Sequence, residues 1–243
     1  MAFSTGYTLG FATVICIGCS LLVGGAALSL KEQQDLNVER DLKKSVLEAL
    51  DVRPDGEATG EWIDSAYETR VKVVVIDATG APQTGKTMAD VEAANLEVKG
   101  TDNAPELFAV YARQDGDAIG AYGLPLAGVG LWGPISGYLA LEPDASTVLG
   151  ATFFAPKETP GLGGEITQPV FKDQWKGKKV VEGGKPRPIR VVKGEAKLLC
   201  PGATDYCVDG VSGATITGDG VDQMVAVALD RYDPYLRSLR GGK

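Results

Sequence analysis

The chain has 243 residues, enough for a membrane segment and one or two compact domains. Its net charge of −8 is spread along the sequence, and 44% hydrophobic with 23% charged residues is an ordinary globular balance; nothing in it points to nucleic-acid binding. There is no histidine, which removes Ser-His-Asp and Cys-His hydrolytic machinery, His-bearing metal sites and imidazole as a general base.

Residues 2–30 carry no charged side chain, and 9–30 are dense in Leu, Val, Ile, Phe, Ala and Gly. A bilayer core is spanned by about 20 such residues, so a retained transmembrane helix is predicted. A cleaved signal peptide is the alternative, with Ala26 and Ala27 as small residues near its end, but no Lys or Arg precedes the apolar run. Ile17-Gly18-Cys19 bears a faint likeness to a lipoprotein cleavage site, yet Cys16 stands where leucine is expected and the apolar run continues past Cys19. Flanking charge fixes no orientation, because Lys31 and Arg40 lie among Glu32, Asp35 and Glu39. Leu36, Leu42, Val46, Leu47 and Leu50 then share part of a helical face until Asp51 and Pro54 break it, which predicts a stalk helix packed on the following domain.

Strands are predicted at 71–76, 107–112, 138–141 and 147–154, separated by Gly, Asp and Pro turns. With helices near the two ends, this pattern predicts an α+β fold with mainly antiparallel pairing. Gly80-Ala81-Pro82-Gln83-Thr84-Gly85-Lys86-Thr87 fits the phosphate-loop pattern G-x-x-x-x-G-K-[ST] and follows a strand. Only a modest helix follows at 88–98, with no second apolar strand soon after that ends in a magnesium-binding Asp. A Gly/Pro/Thr-rich surface turn is the preferred reading, and a nucleotide site the alternative.

Near the C-terminus, Asp209-Gly210-Val211-Ser212-Gly213-Ala214-Thr215-Ile216-Thr217 surrounds hydroxyls with small residues, so a bulky group can approach the backbone. Beyond it Val221, Met224, Val225, Ala228 and Tyr232 recur at helical spacing, with Thr217 or Asp219 as the expected N-cap. A helix N-terminus favours a phosphate. The bottom-up alternatives are an anion site and a small-residue turn that merely caps the helix. Cys16 and Cys19 lie far along the chain from Cys200 and Cys207, so the spacing gives no four-cysteine metal cluster, and no metal ligands or catalytic residues are assigned.

Asp209 to Thr215 resembles the flavinylation motif D-x-x-[ST]-G-A-T of the FMN-binding domain family. Two further blocks resemble the same family: Gly130-Leu131-Trp132-Gly133 with Gly137-Tyr138-Leu139-Ala140-Leu141-Glu142, and Glu158-Thr159-Pro160-Gly161-Leu162-Gly163. With the apolar N-terminus and Gln33-Gln34-Asp35-Leu36-Asn37, the order of blocks is similar to the flavin subunits of sodium-translocating NADH:quinone oxidoreductases. The related flavin subunits of ferredoxin:NAD oxidoreductase complexes, known as G subunits, are the alternative within the class.

The resemblance implies an FMN held by a phosphoester to Thr215, attached by a separate flavin transferase that uses FAD and magnesium. Asp209 and Ser212 would shape the attachment turn, and Gly213 with Ala214 would leave room for the phosphate. Glu158, Thr159 and Leu162 would lie against the isoalloxazine ring. Trp132 would stack on or border the ring, or else be a buried aromatic anchor. The resemblance further implies an electron-carrier subunit with no turnover alone, working with other membrane subunits that bind NADH and quinone, single-pass in a bacterial inner membrane with its soluble part in the periplasm. The expected division is 1–30 as anchor, 31–125 as stalk and N-terminal region, and 126–243 as FMN-binding domain. Outside the cytoplasm Cys200 and Cys207 are candidates for a disulfide, with free thiols or a redox role as alternatives. From other classes, a phosphate-loop nucleotide-binding protein and a flavin-free anchored scaffold remain as alternatives.

Overall fold

A computed structural model describes residues 4–97 and 105–241. The chain divides into two units, Met1–Leu42 and Lys43–Lys243. The N-terminal unit is helical and belongs to α1 (Thr5–Ala49), a single uninterrupted helix where the sequence suggests an apolar segment and a separate stalk. Among the described residues it is the one helix long and apolar enough to cross a membrane, and the apolar window within it buries none of its side chains. Leu36 and Leu42 are exposed, so the predicted stalk face is only half used: Val46, Leu47 and Leu50 are buried in the second unit. The helix ends where Asp51 takes a left-handed conformation (φ 55°) and the Val52 N–H returns to the Leu47 carbonyl at 2.8 Å. That bond is the six-to-one closure common at helix C-termini, with Asp in the place glycine usually holds.

The second unit is built on a five-stranded antiparallel sheet in the order β1 (Val71–Asp77), β2 (Leu107–Asp115), β3 (Ala118–Val129), β4 (Pro134–Leu141), β5 (Val148–Phe154). Neighbouring strands are joined by antiparallel pairing throughout. Both faces are covered, which is why the strands read as nearly continuous apolar runs. On one face Phe108, Val110, Tyr122, Leu124, Leu139 and Leu141 pack with the C-terminal helix α6 (Thr215–Gly241) through Met224, Val225, Leu229 and Tyr232. On the other, Ala109, Tyr111, Ala121 and Ala140 pack against the end of α1, against α2 (Gly60–Arg70) and against Val91 of α3 (Met88–Glu97). Each fully buried aliphatic side chain contributes about 1.5–3 kcal/mol, so α6 is held by its apolar stripe far more firmly than by helix propensity.

The four predicted strands form with small shifts in their ends; β3 and α2 were not foreseen. β3 contains Gly120, Gly123, Pro125 and Gly128, a composition that argues against a strand. The β2–β3 register ends at Tyr111↔Gly123, just before Pro125, and from there β3 pairs with β4 alone, so the missing proline N–H is not demanded by β2. The expected division at 125/126 falls inside this strand. Of the helix predicted at 88–98, α3 covers 88–97, and Val98 lies outside the described residues.

After β5 come α4 (Pro169–Lys172), a short hairpin β6 (Val181–Glu182) with β7 (Lys185–Pro186), β8 (Arg190–Val192), α5 (Ala196–Leu199) and β9 (Cys207–Asp209). β8 and β9 pair in parallel, the one parallel pairing among the described strands. A disulfide joins Cys200 to Cys207, so β9 is tied to the end of α5 just before the chain enters the 210–215 turn. Of the alternatives for these two cysteines, the free-thiol reading is overturned.

Candidate functional site

Thr215 is the first residue of α6 and is exposed, as are Ser212 and Gly213 before it. Ala214 supplies the carbonyl that accepts the first helical bond, from Gly218 N at 2.9 Å, and has no side-chain oxygen with which to cap the helix. The start of the helix, left without a side-chain cap, borders a cavity of about 290 Å³ lined by Val191 to Gly194 on one side and by Gly210 to Thr215, Gly218 and Asp219 on the other. This is the arrangement in which helix N–H groups and the helix dipole attract an anion.

The N-cap expected at Thr217 or Asp219 is corrected by this geometry. The helix starts at Thr215, so Thr217 lies in its first turn, buried at 1% exposure. Its Oγ1 donates to Glu158 Oε2 at 2.6 Å instead of accepting from a backbone amide. Asp219 is exposed on the rim of the cavity. The apolar pattern begins only at Val221, which is what draws a sequence-based start too far along the chain.

Gly213 joins the turn to the second block of predicted residues. It adopts φ 75°, where an L side chain is strained, and a Cβ there would come within 2.7 Å of Leu162 Cδ2. The Glu158 to Gly163 segment is a tight turn in which the Thr159 carbonyl accepts from Leu162 N at 3.1 Å and Gly164 N at 3.0 Å. Glu158 is buried, whereas Thr159 and Leu162 are exposed. Trp132 is 64% exposed, so it is not the buried aromatic anchor that sequence leaves open. With Leu162 and Ile216 it gives the region around the α6 start an uncovered apolar component.

Asp209 does not line the cavity. Its Oδ1 accepts from Ala196 N at 2.6 Å and its own N–H donates to Gln174 Oε1 at 2.7 Å, so it fixes the loops on which the turn rests. The sequence gives little sign of the wall formed by Val191, Val192, Lys193 and Gly194. β8 is three residues long and pairs with a strand that starts fifteen positions after it ends; the short Ile189-Arg190-Val191-Val192 run is the one signal that could have flagged it. This wall is tied to α6 by Asp222, whose Oδ1 accepts from Val191 N at 2.5 Å and whose pKa is pushed up by burial.

The phosphate-loop lookalike spends most of its polar groups internally. Asp77 Oδ1 accepts from Thr79 N, Thr79 Oγ1 and Ala81 N, bonds that hold its pKa below the usual carboxylate range, with the Thr79 hydroxyl foremost. Gly80 N donates to the Asp77 carbonyl, Gln83 N to Val75 and Thr87 N to Asp90 Oδ2. Lys86 Nζ pairs with Asp90 at 3.1 Å. With the Gly80, Ala81, Gln83, Lys86 and Thr87 amides engaged in this way, most of the cradle a phosphate needs is already committed, which favours the surface-turn reading. Lys86→Ala is accordingly expected to change neither the fold nor the flavin content of the purified protein, and ATP binding that disappears with this substitution would reverse the assignment.

An exposed hydroxyl thus stands at an uncapped helix start, set among small residues beside exposed apolar side chains, and residues 130–230, which include it, match the family model of the FMN-binding domain. The C subunit of the Na(+)-translocating NADH-quinone reductase of Vibrio parahaemolyticus is 31% identical, over 97% of this chain and 95% of its own length. Its Pseudomonas aeruginosa counterpart is 30% identical over 99% and 98%. The crystal structure of the C subunit from Parabacteroides distasonis aligns with a TM-score of 0.69 and 32% identity, covering 85% of this chain and 96% of that one. The chain belongs to the family of C subunits of Na(+)-translocating NADH-quinone reductases.

Proposed function

We propose that the chain is the electron-carrying flavin subunit of a sodium-translocating NADH:quinone reductase, with FMN esterified through its phosphate to Thr215 Oγ1. The observation that carries this reading is the exposed Thr215 hydroxyl at the uncapped start of α6, opening on a cavity of about 290 Å³. The fit is one of chemistry: free first-turn amides suit the phosphate, and Gly213 and Ala214 keep bulk away from it. Ser212 and Asp209 shape the turn, and Thr159, Leu162 and Trp132 border the ring, with Glu158 beneath them. Bound FMN supplies reversible electron transfer, while the chain fixes where that cofactor sits and how far it is exposed. A threonine hydroxyl is a weak nucleophile unless activated, and with no histidine in the chain the attachment falls to a separate flavin transferase. The single G-x-G-x-x-G match, Gly128 to Gly133, spans the turn between β3 and β4 and opens no helix, so it is no dinucleotide fingerprint; NADH is then bound by a partner subunit and the chain alone has no turnover.

Mass measurement of the protein purified from its native membrane is the direct test. A phosphoester between FMN and a hydroxyl adds about 438 Da to the chain, and a mass equal to that of the bare sequence would overturn the reading.

In the same reading residues 1–30 anchor the protein in the bacterial inner membrane, 31–125 form the stalk and N-terminal region, and 126–243 carry the flavin in the periplasm. The motivation is the uncharged apolar run within α1. Protease added to intact spheroplasts is expected to digest everything beyond the apolar segment, and full protection would overturn the orientation.

A further inference from the structure

Glu158 is 6% exposed, and each of its carboxylate oxygens is engaged: Oε2 by Thr217 Oγ1 at 2.6 Å and Oε1 by the backbone N–H of Trp132 at 2.7 Å. Both distances fall in the range of charge-assisted bonds, which are stronger and more directional than neutral ones. The surrounding chain makes room for this group. A Cβ at Gly130 would lie 2.6 Å from Oε1, and one at Gly163 would lie 2.3 Å from Oε2 and 2.6 Å from Thr217 Oγ1. Three segments remote in sequence thus meet at one carboxylate: the turn after β3, the tight turn after β5 and the first turn of α6. Burying a carboxylate is costly even when it is hydrogen-bonded, and an apolar contact would join the same segments more cheaply. What an apolar contact lacks is direction. Trp132 has most of its side chain in solvent, and the bond from its own amide to Glu158 fixes the backbone from which the indole projects. Thr217, the other donor, sits two residues from Thr215 on the same helical turn.

We propose that Glu158 and Thr217 are positioning residues that hold the Trp132 backbone in register with the Thr215 turn, so that the exposed indole projecting from it packs against the flavin carried there. This rests on the reading of Thr215 as the FMN attachment residue. Neither Glu158 nor Thr217 has to touch the ring; they set its aromatic neighbour.

The test uses the full-length chain purified from membranes, in the parent form and as Trp132→Ala, Thr217→Val, Thr217→Ser and Glu158→Gln. An indole against a flavin quenches its fluorescence and shapes its visible circular dichroism. Thr217→Val, which keeps the shape and removes the hydroxyl, is expected to carry the parent's flavin mass but to show fluorescence raised to the level of Trp132→Ala. Thr217→Ser, which restores the donor, is expected to match the parent. In flavin-free protein made without the transferase and labelled with 15N-tryptophan, the Trp132 amide resonance is expected to move upfield in Glu158→Gln while those of Trp62 and Trp175 stay in place. The proposal is overturned if labelled Thr217→Val matches the parent in fluorescence, or if Trp132→Ala itself changes nothing. It is likewise overturned if Thr217→Val and Glu158→Gln fold but carry no flavin, since the network would then serve attachment. Should Thr217→Val fail to fold, Glu158→Gln decides by the same fluorescence comparison. A parent protein without flavin would defeat the Thr215 reading instead, and the Trp132 amide shift would still decide whether Glu158 holds that residue, an unmoved resonance overturning it.

Discussion

Thr215→Ala is expected to give a folded, membrane-inserted chain with no covalent flavin fluorescence on a denaturing gel. The substitution removes one exposed hydroxyl for which no hydrogen bond is needed by the fold, and alanine is the residue best tolerated in a helix. Its effect on stability is therefore small, within about 0.5 kcal/mol. The effect on labelling is total, because an ester cannot form without the oxygen. Thr215→Ser keeps an oxygen in the same place and should retain some label if chemistry rather than shape limits the transfer. Thr217 is no substitute acceptor: its hydroxyl is buried and committed to Glu158. Undiminished fluorescence in Thr215→Ala, or a flavin-bearing peptide modified at Thr217 or Ser212, would sink the attachment assignment.

The same two threonines show where the sequence is legible and where it stops. The apolar run within α1, four of the five sheet strands and the apolar stripe of α6 were visible because burial imposes periods of 3.6 and 2 on the residues themselves. The small residues before α6 could be read as a place of close approach, but not where the helix begins, because Thr215 to Gly220 carry almost no apolar periodicity. Thr217 looked like a cap from its residue type. Its partner, Glu158, lies 59 positions away, and no local pattern encodes that contact. β3 was hidden for a related reason. Its glycines and proline argue against a strand, yet Pro125 is tolerated because β2 makes no demand beyond Gly123, and Gly128 is needed because α6 lies against that end of the strand.

That crossing gives the second large effect. Gly220→Ala is expected to destabilise the protein even though helix propensity alone favours alanine over glycine by about 1 kcal/mol. A Cβ at position 220 would sit 2.2 Å from the Val129 carbonyl oxygen and 3.1 Å from its carbon, both backbone atoms. On the opposite side a Cβ at Gly128 would sit 2.6 Å from Met224 Cβ, so helix and strand touch there almost backbone to backbone. Backbone cannot swing aside as a side chain can. Relief requires either lifting α6 off the sheet, which uncovers Met224 and Val221, or pulling Val129 away from its pairing with Pro134. Overpacking of this kind costs about 1–3 kcal/mol, occasionally more, and here it comes at the rigid end of that range. After subtraction of the propensity gain, the net loss is about 2 kcal/mol, or roughly 4–8 °C in melting temperature for a domain of this size. Gly241→Ala, at a helical position with open space around it, is the control and should melt at or slightly above the parent temperature. Because Val129 leads directly into the turn that carries Trp132, Gly220→Ala should also alter flavin fluorescence in whatever folded protein remains. A melting temperature equal to or above that of the parent would show that the contact between α6 and β3 is looser than the structure makes it.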